Sequence, residues 1–421
     1  MHLDPFSELY SRTPAVTWQR LLDAGEHVGY DDELGVWVIA GHHLVRTALR
    51  DTQRFTNAAT LLPLRPLAET VLPVLAGFNP PPVASMADPP THERSRTALR
   101  AVMPNTTARV EWKWDAVVQA HVDDLVGQLA EADTVDLVTQ LAARLPVMVL
   151  LDIIGVPGAD VEHVMAWSSG NVDLRWGDLD EAEQLRAAQG LLAIWRYCHH
   201  LVGERSAARD HGTGLLGDLL RYRGGDDNRL RVDQIRAIVL ALLLAGSETT
   251  TALITHTVEH ALTQPDRWAR AATDEHYVAR HVEETLRFSP PIDGWLRLTT
   301  TTVLMADTTI PARERCLLLI GAANHDPTAF VDPHTFDPDR SWLSQNLAFG
   351  TGAHYCSGAG LARLQATTVL RTLAQRLPHL RLPDGYQRHY RPNAGLRNHV
   401  SLPVNIRGCP MEHATPPARS T

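Results

Sequence analysis

The sequence predicts a mainly α-helical fold carrying small β-sheets, and three features predict it. Apolar residues recur at helical spacing from Val232 to Leu262, in a run ended by Pro265. A second such run, with Leu361, Leu364, Val369, Leu370 and Leu373, starts directly after a glycine-rich loop and closes at Pro378. Residues 27–40 and 299–320 instead alternate apolar and polar side chains, as strands do, and 392–406 reads as a last hairpin. A chain of 421 residues can bury a large core. No internal repeat is visible, so one domain over residues 1–407 is expected, with a disordered proline-containing tail at 408–421.

Composition narrows the class. Hydrophobic residues make up 44% and charged residues 21%, which is ordinary for a soluble globular protein. The net charge of −9 argues against a general nucleic-acid binder. Cys198, Cys316, Cys356 and Cys409 are too widely spaced for a disulfide framework, which fits a reducing cytoplasm. The N-terminus has no apolar signal segment, and the longest apolar run, 237–246, is too short to span a bilayer.

Taken in order, the chain opens with a short amphipathic segment after Pro14. A hairpin then turns at Asp31-Asp32, and a helix covers 42–50. Residues 56–87 are irregular and rich in proline, yet they carry Leu61, Leu62, Leu64 and Phe78, more apolar surface than a linker needs. Asp88-Pro-Pro-Thr-His92-Glu-Arg-Ser-Arg96 puts His92 and Arg96 on one face of a starting helix. Read alone, that pair is a solvated basic face as readily as an anion site. Residues 110–210 read as several helices, with turns near 155–158 and 170.

The middle of the 232–262 segment breaks its own pattern. Ala245-Gly246-Ser247-Glu248-Thr249-Thr250-Thr251 places a glycine, an acid and alcohols in an apolar helix, against helix propensity. Gly246 and Thr249 share a face, which leaves room for a small ligand beside a hydroxyl. The plainer alternative is a kink, with serine and threonine bonded back to the i−4 carbonyl. Further on, Glu284-Thr-Leu-Arg287 is an i,i+3 pair of the kind that is usually a weak surface ion pair.

The most demanding stretch is Phe349-Gly350-Thr-Gly-Ala-His354-Tyr-Cys356-Ser-Gly358. Cys356 falls at the mouth of the next helix, where unpaired N–H groups and the positive end of the helix dipole favour a thiolate. The glycines let backbone lie close to a flat ligand. Zinc would need further ligands, and a dinucleotide would need a third glycine where Tyr355 stands. A haem iron needs one thiolate and close backbone approach, and this stretch has both.

This loop resembles the haem-binding loop of the cytochrome P-450 superfamily, Phe-Gly-x-Gly-x-His-x-Cys-x-Gly, at all six fixed positions. The resemblance implies a mainly α fold with small sheets, haem b (iron protoporphyrin IX) as cofactor, and Cys356 as its metal ligand. It implies His354, Phe349, Gly350 and Gly358 around the haem, and His92, Arg96 and Arg297 on its propionates. The helix stretch resembles the family's oxygen-binding Ala-Gly-x-Glu-Thr-Thr, which implies Thr249 in stabilising and protonating bound oxygen, Glu248 in proton supply and Gly246 beside them. Glu284, Arg287 and Arg340 would form the family's structural lock. Leu61, Phe78, Ala245, Ile292, Asp293, Trp295 and Leu396 are expected to line the substrate pocket, with 56–87 as its lid. The family's Gly-Gly turn before Ile310-Pro-Ala is here Asp307-Thr308-Thr309, which puts that hairpin in doubt.

The activity implied is monooxygenation of a small organic molecule, hydroxylation or epoxidation in secondary metabolism. Electrons would come from a ferredoxin and its reductase, or a flavoprotein, docked on the basic face of Arg94, Arg100, Arg109 and Lys113. Two alternatives stand beside it: oxidative C–C or C–N coupling without oxygen insertion, and a non-enzymatic haem protein that senses or carries a gas.

Overall fold

The computed structural model describes residues 1–406 apart from residue 157, so the tail expected at 408–421 lies outside the described residues. Among the described residues nine strands form three small sheets: β1 Val28–Asp31, β2 Val36–Ile39, β3 Phe55–Thr56, β4 Thr134–Asp136, β5 Gly294–Thr299, β6 Val303–Met305, β7 Thr308–Ile310, β8 Arg315–Leu319 and β9 Pro403–Asn405. The largest sheet runs β1-β2-β8-β5-β3. Its one parallel contact sets Trp37 beside Cys316 in β2 and β8, and β5 returns antiparallel with Trp295 opposite Leu318. Cys316 is a fully buried strand residue.

The rest is helical. The longest helix, Val232–Leu262, is called here the core helix. By length and apolarity alone (mean hydropathy 1.8) it could cross a membrane, but 61% of that stretch is buried within the fold. It is apolar because it is packed on nearly all sides, as a central helix must be. The helix Ala359–Arg376, which follows the cysteine loop, packs on Thr107–Leu129 and on the core helix. Close approach is built in at Gly360, where a Cβ would lie 2.9 Å from Val110 Cγ2.

Two expectations change. The doubtful turn does form a hairpin: β6 and β7 pair from Met305–Thr308 to Val303–Ile310, with Ala306 in the left-handed region at φ 49° in place of glycine. The last hairpin does not form as a ladder. Pro403–Asn405 pairs with distant Thr134–Asp136, while residues 390–399 make a wide loop closed by a Tyr390–His399 bridge. That loop spends its polar groups on the cavity wall and on the core helix rather than on a second strand.

Candidate active site

A cavity of about 290 Å³ opens between the core helix and the cysteine loop. Its wall takes Ala245, Gly246 and Thr249 from the core helix, and Phe349, Gly350, His354, Cys356 and Gly358 from the loop. His92, Arg96 and Arg297 complete it from two further elements. The sequence thus placed its chemistry on four separate segments that the fold brings to one space.

The loop is self-supporting. Cys356 N–H donates to Phe349 O at 3.0 Å and Gly350 N–H to Leu347 O at 2.8 Å. Gly350 sits at φ 68°, which only glycine adopts without strain. Gly358 lies against the sulfur itself: a Cβ there would sit 3.9 Å from Cys356 Sγ, in ordinary contact. Burial pushes the Cys356 thiol up, against the pull of the Gly358 and Ala359 N–H groups and the Arg96 and Arg363 charges. The helix mouth alone therefore does not make a thiolate here, and a bound cation would complete the task.

Two residues that pattern reading missed hold this loop. Arg363 lies two helical turns beyond Cys356, a spacing that returns to the same face. It pairs with Glu283, donates from Nη1 to Tyr355 Oη at 3.3 Å and covers the Phe349 ring.

Beside the sulfur stands a cluster of basic side chains, with Arg96 donating to Ser357 Oγ. The His92 and His354 rings lie 4.1 Å apart. His92 Nε2, His354 Nε2 and Arg96 Nε are buried without hydrogen-bond partners. Burial, then the charges of His92 and Arg297, bring His354 down to about 3, and burial brings the Arg297 guanidinium down to about 9. The guanidiniums of buried Arg297 and half-buried Arg96, set among idle donors, call for an anion carrying more than one charge. Two propionates would meet that demand, and the Cys356 thiol on the same cavity would ligate an iron, so the residues present fit a haem. Cys356 would ligate the iron and His92, Arg96, Arg297 and His354 would receive the carboxylates. Bound there, a haem supplies reductive activation of O₂, with the thiolate favouring O–O cleavage.

On the core helix, Thr249 faces the cavity and its Oγ1 donates to Ala245 O at 2.7 Å. Ser247, Thr251 and Thr255 are back-bonded in the same way. The alcohol pattern and the cavity-facing hydroxyl therefore coexist. Gly246 is also a packing device, since a Cβ there would lie 2.9 Å from Leu150 Cδ1. Glu248 is turned away from the cavity wall. Its carboxyl accepts from Gly170 N–H at 3.1 Å and Val172 N–H at 3.3 Å. Burial, then Asp173, raise it to about 8. Proton supply from Glu248 to the cavity would need a side-chain rotation or a bridging water.

The Glu284–Arg287 pair is no surface pair. Both side chains are fully buried, with Nε–Oε2 and Nη2–Oε1 each at 2.7 Å. Arg287 Nη1 donates to Asn324 O and Pro333 O, and Glu284 Oε1 accepts from Asp337 N–H at 2.8 Å. Arg340 Nε stands 3.5 Å from Glu284, and its Nη2 donates to Asp332 O and Thr335 O. The pair is hydrogen-bonded on both of its sides, as a buried ion pair requires, and of the three side chains only Arg340 Nε is left without a hydrogen-bond partner.

Of the expected substrate-lining residues, Ala245, Ile292 and Trp295 are on the cavity wall, and the structure corrects the other four. Leu61 packs against a separate apolar cluster that includes Leu3, Trp18 and Leu64. Phe78 meets Trp195 edge-on at 6.4 Å. Asp293 is fully buried and answers to Arg397, behind the wall. Leu396 bridges Ile292 and so backs the wall without lining it. From the segment 56–87, it is Asn57, Ala84 and Ser85 that reach the cavity.

Fold and site together define a haem-thiolate protein. The family model for cytochrome P-450 matches residues 269–393. Cytochrome P-450 107B1 of Saccharopolyspora erythraea is 33% identical over 380 residues, 88% of this chain and 89% of its own. Erythromycin C-12 hydroxylase of the same organism is 30% identical over 422 residues, 99% of each chain. Among solved structures, cytochrome P-450 CREJ in complex with (4-ethylphenyl) dihydrogen phosphate is 29% identical, with a TM-score of 0.87 over 93% of this chain and 96% of that one. The chain belongs to the cytochrome P-450 family and is a haem-dependent monooxygenase.

Proposed function

We propose that this monooxygenase hydroxylates or epoxidises an apolar organic substrate as a tailoring step in secondary metabolism, in the cytoplasm. The observation that carries this reading is the apolar part of the cavity wall: Ile238, Ala241, Leu242, Ala245, Ile292 and Trp295 are apolar or nearly so. Such a wall selects by shape and apolar contact, with few polar groups to fix orientation. The named activity of the relative erythromycin C-12 hydroxylase is of the same kind. Electrons come from a separate ferredoxin and its reductase, or a flavoprotein. Exposed Arg94, Arg100, Arg109 and Lys113 support this, and Trp112 among them is 88% exposed. An acidic carrier would find there both charge and an aromatic contact.

Spectral titration of the purified protein against a panel of apolar metabolites, followed by turnover with ferredoxin and reductase, tests the reading. The product should gain one oxygen atom. A product that has only lost hydrogen would assign oxidative coupling instead, and a panel in which nothing is oxidised would overturn both.

A further inference from the structure

The C-terminal half of the core helix buries a polar set that the oxygen chemistry does not use: His256, Thr257, Glu259 and His260, none more than 3% exposed. A carboxylate and two imidazoles in a core are costly unless partnered. The partners of the three titratable groups lie on two segments that back one wall of the cavity. His256 Nδ1 donates to Ser289 O at 2.8 Å, and His260 Nε2 meets Ser289 Oγ at 2.9 Å, just before Pro290-Pro291 and the wall residue Ile292. Glu259 Oε1 accepts from Arg388 Nε at 2.7 Å, and its Oε2 lies 3.3 Å from His399 Nε2. Arg388 and His399 stand at the two ends of the wide loop closed by the Tyr390–His399 bridge.

The apex of that loop presses on the wall. Leu396 bridges Ile292, Asp293 N–H donates to Gly395 O at 2.9 Å, and Arg397 N–H donates to Pro291 O at 2.9 Å. There is no slack, because a Cβ at Gly395 would lie 2.6 Å from the Trp176 ring. Trp176 in turn meets the wall residue Trp295 edge-on at 5.3 Å. Burial holds His256 and His260 well below the usual imidazole range, so both act as neutral fixed partners. Burial opposes the charge on Glu259, but His399 and Arg388 outweigh it and hold the carboxyl well below its ordinary value.

We propose that Glu259, which is not on the cavity wall, is a positioning residue for substrate selection: through Arg388 and His399 it sets the loop 390–399, and through that loop the placement of Ile292 and Trp295. The proposal rests on the reading that this cavity takes the organic substrate.

Two probes of the haem-loaded, full-length protein separate wall placement from general damage. Imidazole needs only an open iron position, whereas 4-phenylimidazole also needs room against the wall. Glu259→Gln should weaken 4-phenylimidazole about tenfold while imidazole stays within about twofold. The reduced carbon monoxide spectrum should be unchanged, and amide exchange in 390–399 should quicken. Glu259→Asp, which keeps the charge, should recover part of the difference. Arg388→Met should show the same selective loss, and it decides the matter if Glu259→Gln fails to hold haem. Equal shifts for both probes, or none, overturn the proposal. A wild-type protein that gains nothing from the phenyl group overturns the cavity reading and the proposal with it. A wild-type preference that survives both substitutions overturns the proposal alone.

Discussion

The guanidinium of Arg363 lies 4.6 Å from the centroid of the Phe349 ring, and so ties the helix after Cys356 back to the start of the cysteine loop. Glu283 pairs with the same guanidinium and raises its pKa further above the arginine range, against the opposing pull of burial. Arg363→Ala should therefore lower the unfolding free energy by roughly 1–2 kcal/mol and loosen haem retention. Thermal unfolding followed at the Soret band would show both. An unchanged midpoint and unchanged haem occupancy would remove Arg363 from the loop's support.

Cys356 is the one cysteine on the cavity wall among the described residues. The reduced protein with carbon monoxide should show the strongly red-shifted Soret band of thiolate ligation, and Cys356→Ala should abolish it. Persistence of that band in the variant would place the iron on another side chain.

Glu284→Gln should be severe. It leaves the Arg287 guanidinium fully buried with its charge uncompensated. Breaking such a pair costs roughly 3–5 kcal/mol. Denaturant unfolding should show that loss, and the variant should bind haem poorly, because the 331–340 segment held by Arg287 and Arg340 leads into the cysteine loop.

That same pair shows what the sequence could and could not tell. Glu284 and Arg287 were legible as a pair from their spacing, but spacing carries no burial, and burial decides whether a pair is trivial or structural. The cysteine loop, the His92–Arg96 face and the Gly246–Thr249 stretch were legible because their chemistry tolerates few other residue types. Leu61 and Phe78 were misplaced because apolarity does not say which apolar surface a side chain joins. The partner of β9 was invisible because it lies at Thr134–Asp136, far away in the chain. Glu259 gave no signal, since one acid near the end of a helix usually faces solvent.

Glu248 makes stability depend on pH with a definite sign. Burial, then Asp173, raise its carboxyl from an ordinary 4.5 to about 8. The folded protein binds this proton more tightly than the unfolded chain, so the contribution is fully present below about 4.5 and is lost as pH rises through about 8. The slope in that window is at most about 1.36 kcal/mol per pH unit. Glu248→Gln should flatten the pH dependence of the unfolding free energy over this range. Parallel curves for the two proteins would show that Glu248 is ionised at neutral pH.

Thr249→Ala separates a chemical role from a structural one. The hydroxyl is back-bonded to Ala245 O at 2.7 Å, an arrangement that adds little to a helix and that alanine does without. Alanine is also the better helix former, by a few tenths of a kcal/mol. The variant should therefore be at least as stable as the parent and keep its haem and its reduced carbon monoxide spectrum. What it loses is the cavity-facing hydroxyl, which is placed to hold and pass a proton. Electrons should then leave as hydrogen peroxide, and the yield of oxygenated product per electron pair should fall about tenfold or more. Thr249→Ser, which keeps the hydroxyl, should stay near the parent. If Thr249→Ala and Thr249→Ser give the same ratio of product to peroxide, Thr249 handles no proton, and the break in the apolar pattern at 245–251 is a packing feature of the core helix.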